Sequence, residues 1–187
     1  LRETQYRLSE EFNISIDGIS TELCIFPPSK FQKSCGNVQE KQLKRVIDNV
    51  LKNDIVVISN RFYQNFKRKN YNWFEDENST RDLEAFAEKM HNKDVRVIVF
   101  APTPEFITDI NQCTKEWFRL RMKECYISKK EFRLKNKGNY KKLNSLSKNI
   151  IVYDPLDAIC LNNLCSMTDN NDRPLYNDRD HFTDFAN

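Results

Sequence analysis

Apolar residues along this chain recur with two different periods, and the order of those periods predicts the fold class. Between 38 and 52, Val38, Leu43, Val46, Ile47, Val50 and Leu51 fall at helical spacing. Asp54–Ser59 (DIVVIS) is then a largely apolar run of strand length, suited to a parallel strand buried on both faces. Thr80–Asn92 repeats the helical pattern, with Leu83, Phe86, Ala87 and Met90 on one face, and Val95–Phe100 (VRVIVF) repeats the strand. Ala101-Pro102-Thr103-Pro104 follows as a loop at that strand's carboxyl end. Residues 114–148 are polar and basic and read as largely helical. Ile150–Tyr153 is a short final strand, ended by Asp154-Pro155, and 156–165 reads as a short helix closed by a cysteine pair. Upstream, 1–12 looks helical. Asn13–Ser20 reads as a short strand through Ile14, Ile16 and Ile19, running into a turn. Cys24–Cys35 is a loop in which Pro27-Pro28 blocks regular hydrogen bonding.

Strand and helix alternating in this way predict an α/β fold with a mainly parallel sheet. Such sheets place their sites at the carboxyl ends of strands. Three places qualify: the loop after Ser59, the loop after Phe100, and the terminal segment around His181.

Bulk properties narrow the classes. A chain of 187 residues suits one domain with a substantial core. Hydrophobic residues at 39% and charged residues at 30% fit a globular chain, not a disordered one. A net charge of +3 is too small to argue for nucleic acid. No apolar stretch approaches the roughly 20 residues that cross a bilayer, and no signal peptide is visible. The first residue is Leu1, and Leu1–Leu8 reads like the middle of a helix, so the expectation is a piece of something longer. Three glycines in all argue against a dinucleotide or P-loop fingerprint.

The six cysteines fall in close pairs: Cys24/Cys35, Cys113/Cys125 and Cys160/Cys165. This pattern suits three local disulfides in an oxidising compartment. Reduced, buried thiols in a cytosolic protein are the alternative. Zinc is disfavoured, because C-x-x-C spacing is absent and histidines are scarce.

The chain holds two histidines. His181 follows Asp178 by three residues, and positions i and i+3 are neighbours on a helical turn. One carboxylate can then hold one imidazole in a fixed tautomer, which is two-thirds of a Ser-His-Asp arrangement. Asp180 and Asp184 are also close, so spacing alone does not select Asp178. The bland alternative is a surface histidine beside a solvated acid. Asn60, directly after the first strand, is a candidate oxyanion donor or an ordinary turn asparagine. Lys129–Lys142 carries seven basic residues against one acid, Glu131, with Phe132 and Tyr140 interleaved. It reads as a solvated helix face or lid before a phosphate-tracking surface. Trp73 and Phe74 suit stacking on a sugar or capping the core. His91 reads as a solvated helix-end residue.

Taken in order, these pieces resemble the SGNH/GDSL hydrolase-like domain fused to membrane acyltransferases that O-acylate surface polysaccharides. Cys24 with Pro27-Pro28 is similar to its Cys-Pro-Pro loop. Asp54–Phe62 and Val95–Phe106 are similar to its strand segments, the second with a Pro-x-Pro turn. Tyr153-Asp154-Pro155, Cys160, Cys165 and Pro174-Leu175-Tyr176-x-Asp178-x-x-His181-Phe182-Thr183 resemble its closing signature, which normally reads P-L-Y-x-D-x-x-H-L-S. The resemblance spans nearly the whole chain. It implies a three-layer α/β sandwich of the SGNH-hydrolase, flavodoxin-like type, as one domain over 1–187, truncated at its N-terminus and lacking its first strand.

The resemblance further implies Asp178 and His181 as triad acid and base, and Asn60 as oxyanion asparagine, although Gly-x-Asn-Asp context is absent there. The family's nucleophile lies in Gly-Asp-Ser, which this chain lacks. Ser15 and Ser20 have no such context. The expectation is a nucleophile upstream of Leu1, with a degenerate, non-catalytic copy as the competing reading. The implied function is O-acyl, chiefly acetyl, transfer to a cell-surface polysaccharide in a periplasmic or extracellular setting. The acyl donor is expected to come from a membrane acyltransferase domain, with no cofactor, metal or nucleic acid. The alternatives are a carbohydrate esterase with the same triad and a non-catalytic glycan-binding module.

Overall fold

Two of the three helix-to-strand turns of the central sheet are made by left-handed residues other than glycine. Asn53 and Asp94 take left-handed φ values of 71° and 59°, each two residues before a strand. Asn and Asp tolerate this region better than other side-chain-bearing residues, because their short polar groups bond locally. The two turns are joined directly: the Asn53 N–H donates to the Asp94 carbonyl at 3.0 Å. Lys52 pairs with Asp94, also at 3.0 Å.

The computed structural model describes residues 9–19, 26–27, 36–60, 63–66, 69–72, 77–114, 123–179 and 181–183. Its elements run α1 Gly36–Asn49, β1 Ile55–Ile58, β2 Tyr63–Phe66, β3 Lys69–Asn72, α2 Glu77–His91 and β4 Arg96–Phe100. They continue with β5 Tyr126–Ser128, α3 Lys129–Lys135, α4 Lys137–Leu143, β6 Ile150–Tyr153, α5 Leu156–Ile159 and β7 Leu164–Ser166. Contacts gather into two compact units, one of residues 19–102 and 136–155, the other of 1–18, 103–135 and 156–187.

The first unit holds the parallel sheet, in the order β1-β4-β6. Ile55 aligns with Arg96 and Ile58 with Val99, while Val97 aligns with Ile150 and Phe100 with Tyr153. This register puts Val56, Ile58, Val97, Val99, Ile150 and Val152 on one face. That face joins Leu83, Phe86, Ala87 and Met90 of α2 and Leu143 of α4 in one core, with Leu43, Val46, Ile47 and Val50 packed against it. The α/β fold with a parallel sheet agrees with expectation, as do the four inward residues of α2.

Several local expectations are corrected. β1 is not buried on both faces: Ile55 and Val57 are 47% and 53% exposed, because the helices of this unit pack on the Val56/Ile58 side. On α1, Val38 faces out and Gln39 is buried instead, and Leu51 lies beyond the helix, exposed. Residues 14–19 form no strand. Ile14 instead donates its N–H back to the Ser9 carbonyl at 3.3 Å, closing the end of a helical turn. The stretch 156–165 is helical only over Leu156–Ile159. After that helix, Asn162 and Asn163 both take positive φ and Leu164 N–H donates to the Leu161 carbonyl at 2.8 Å. Two left-handed central residues make a two-residue hairpin turn.

The second unit has a smaller core of Phe106, Ile110, Cys113, Cys125, Met167 and Tyr176. Two disulfides staple it, Cys113–Cys125 and Cys160–Cys165, the latter bracketing the Asn162-Asn163 turn. Cys24 and Cys35 lie outside the described residues, as do Trp73, Phe74, Asp180 and Asp184.

Candidate active site

The terminal segment is carried to its position by successive backbone rungs. β5 pairs antiparallel with β7, and Met167 N–H continues the ladder to the Cys125 carbonyl at 3.0 Å. Leu175 N–H then donates to Met167 at 2.8 Å, and Thr183 N–H to Leu175 at 3.0 Å. The loop between Met167 and Leu175 is closed by Asp169. Its carboxylate accepts from the N–H groups of Asn171 and Arg173 at 2.8 and 2.9 Å, and from the Arg173 guanidinium at 2.7 Å. Burial pushes the Asp169 carboxyl up, but these donors outweigh it and hold its pKa below the usual carboxylate value.

The chain then turns back on itself between Tyr176 and Phe182, which bridge as an antiparallel pair. Asn177 N–H donates to the His181 carbonyl at 2.8 Å, and the Asn177 side-chain amide donates to the Phe182 carbonyl at 3.2 Å. Phe106 N–H donates to the Arg179 carbonyl at 2.9 Å, fixing the tip of the turn from outside. The Tyr176 ring is stacked between Phe106, edge-on at 5.1 Å, and Phe182 at 4.5 Å. Thr183 Oγ1 donates to the Pro174 carbonyl at 3.0 Å.

Inside this turn Asp178 meets His181 twice. One carboxylate oxygen accepts the His181 backbone N–H at 2.8 Å, and the other contacts ring Nδ1 at 2.7 Å. An ionised carboxylate can only accept, so Nδ1 carries the proton and Nε2 presents the basic lone pair. His181 and Asp178 side chains are 70% and 50% exposed. An exposed ion pair adds about 0–1 kcal/mol to stability. The two contacts together fix the ring of His181 relative to its own backbone.

The other singled-out residues have different surroundings. Asn60 belongs to the sheet unit, and its carboxamide is engaged by Phe26: it accepts the Phe26 N–H at 3.1 Å and donates to the Phe26 carbonyl at 2.6 Å. Phe26 in turn packs edge-on against Phe86 at 5.3 Å. Asn60 thus ties the segment ahead of Pro27 to the core and keeps one amide hydrogen beyond that clamp. His91 ends α2 and is exposed, as its sequence position suggested. Periodicity missed Asn177, Thr183 and Phe106. The Pro-Leu-Tyr lead-in was the available signal for the turn, and nothing in composition marked its clamps. Among the described residues, no group of His, Cys, Asp and Glu could hold a metal. No described helix is long and apolar enough to cross a membrane.

A family model described as "SGNH domain (fused to AT3 domains)" matches residues 1–187. The chain belongs to this SGNH domain family. The parallel three-strand sheet with its helices agrees with that membership, and the family ties the module to acyltransferases. Comparison with curated proteins and with solved structures returned no match. In this SGNH domain the closing segment is the place where acid and imidazole meet.

Proposed function

We propose that this SGNH domain carries the acid and base of an O-acyl-transfer centre, acting on a cell-surface polysaccharide with acyl groups supplied by a membrane acyltransferase domain of the same polypeptide. The observation that carries the reading is the double contact of Asp178 on His181. Asp178 holds Nδ1–H, so Nε2 takes the proton of a seryl hydroxyl as its oxygen attacks the acyl carbonyl. The developing oxyanion needs a donor, the role that the resemblance gives to Asn60. On collapse, the imidazolium returns the proton to the departing group, leaving an acyl-enzyme. A sugar hydroxyl, deprotonated by Nε2, then attacks the acyl-enzyme; the acyl–serine bond breaks and the imidazolium returns the proton to the seryl oxygen.

Residues 1–187 contain no Gly-Asp-Ser, the segment that carries the nucleophile in the resembled family. Two disulfides support an oxidising setting, periplasmic or extracellular. A second reading, ester hydrolysis by the same groups, draws on the exposure of His181, which leaves room for water as acceptor.

The test uses the polypeptide that joins this domain to its membrane acyltransferase part. His181→Ala should lower acyl transfer by at least about 1,000-fold with the protein still folded. A fully active variant would remove His181 from the mechanism. Glycan binding that persists in a wild-type protein devoid of transfer and hydrolysis would favour the binding-module reading.

A further inference from the structure

From Phe132 to Tyr153 the chain contains no acidic residue, while Lys137, Lys141, Lys142 and Lys148 fall on α4 and the turn after it. Their placement separates two surfaces. Asn139 and Leu143 are buried, and Tyr140 packs against the sheet core while its hydroxyl bonds Asp154 at 3.3 Å. Lys137, Lys141 and Lys148 are exposed and Lys142 half-buried, with Gly138 leaving open space between. None of these four lysines has an ion pair among the described residues. Lys129 and Lys135 of the preceding helix differ, being paired with Asp157 and Glu131.

The outward side of α4 is thus a row of unneutralised ammonium groups with its one aromatic turned inward. A single-stranded nucleic acid or a glycan is gripped through exposed rings as well as charge, and this face offers no ring. A lipid surface asks only for clustered point charges. We propose that the lysine face of α4, Lys137 to Lys148, docks on anionic phospholipid headgroups and lays the sheet unit against the bilayer. The choice of partner rests on the membrane-tethered reading above. Tethering raises the effective concentration of the surface, so a patch weak in solution suffices.

The experiment is flotation of the 187-residue chain with vesicles of phosphatidylcholine, with and without about a third phosphatidylglycerol. Binding should require the anionic lipid and vanish near 1 M salt, where the Debye length is about 3 Å. Each lysine near the surface is worth about fivefold in partitioning, so K137E/K141E should bind at least about 25-fold more weakly. The milder K137Q/K141Q should fall between it and wild type. Equal binding by wild type and K137E/K141E, or no binding to anionic vesicles, overturns the proposal. So does lysine-dependent capture by an acidic polysaccharide when vesicles are ignored. No acyl transfer enters this assay, so its failure leaves the His181 reading standing, and loss of the His181 mechanism leaves lipid binding to be judged alone.

Discussion

Leu83, Met90, Val97 and Val99 are buried to 1% exposure or less in a sheet-and-helix core, whereas the His181 and Asp178 side chains are 70% and 50% exposed on the turn between Tyr176 and Phe182. The sheet unit is fixed by apolar burial, which is non-directional and summed over many groups. Among the described residues, the terminal unit has a core of six and is fixed instead by two disulfides, an aromatic stack and directional bonds. The difference matters for chemistry. On the proposed reading, a proton-transfer group must be reachable and correctly aimed, and turn bonds provide aim without burial. The exposed face of the sheet, with Ile55, Val57 and Tyr153, shows that burial is one-sided even in the sheet unit.

The comparison is broken most severely from the sheet side. Leu83→Ala should cost about 3 kcal/mol, within the 2–5 kcal/mol range for a fully buried leucine, read by chemical denaturation. The Asp178–His181 turn should keep its native spectrum. A cost below about 1 kcal/mol would mean that α2 is not seated as described.

Removing the Cys113–Cys125 bridge as the double serine variant should cost about as much. Twelve residues of separation correspond to about 3 kcal/mol of chain entropy, and the five of Cys160–Cys165 to about 2. The loss should fall on the terminal unit. Amide exchange should rise at Met167, Leu175 and Thr183 while β4 amides stay protected. Uniform loss of protection would erase the distinction between the units.

The smallest effect is electrostatic. The pKa of Asp169 is lowered in the folded protein, so its contribution is full above the ordinary carboxylate value of about 3.9 and is lost as pH falls through the lowered folded value. Wild type should melt above Asp169→Asn at neutral pH, with the gap closing below about pH 4. A gap independent of pH would assign the effect to packing.

This contrast also explains what the sequence disclosed. Leu83, Phe86, Ala87 and Met90 announce a helix face because burial imposes a period, and β4 and β6 follow for the same reason. Val38 and Leu51 misled, since α1 turns Gln39 inward where the period favours an apolar residue. Ile14 and Ile16 alternate like a strand without pairing as one, because pairing depends on a neighbour and not on propensity. The terminal turn has no period at all. Its candidate acid and imidazole were legible as Asp178 and His181, but spacing alone did not choose the partner, with Asp180 and Asp184 also close to His181. Geometry supplies the Asp178 contact. Asn60 read as a candidate oxyanion donor or a turn asparagine; its contacts are with the Phe26 backbone, a pairing that required Phe26, far away in sequence, to be seen beside it.

The most direct test of the central claim is the tautomer of His181. Long-range proton–nitrogen NMR of the imidazole at neutral pH should show hydrogen on Nδ1 and a bare Nε2, with Asp178→Asn weakening that preference. A ring protonated on Nε2, or an even mixture unchanged by Asp178→Asn, would contradict an oriented base.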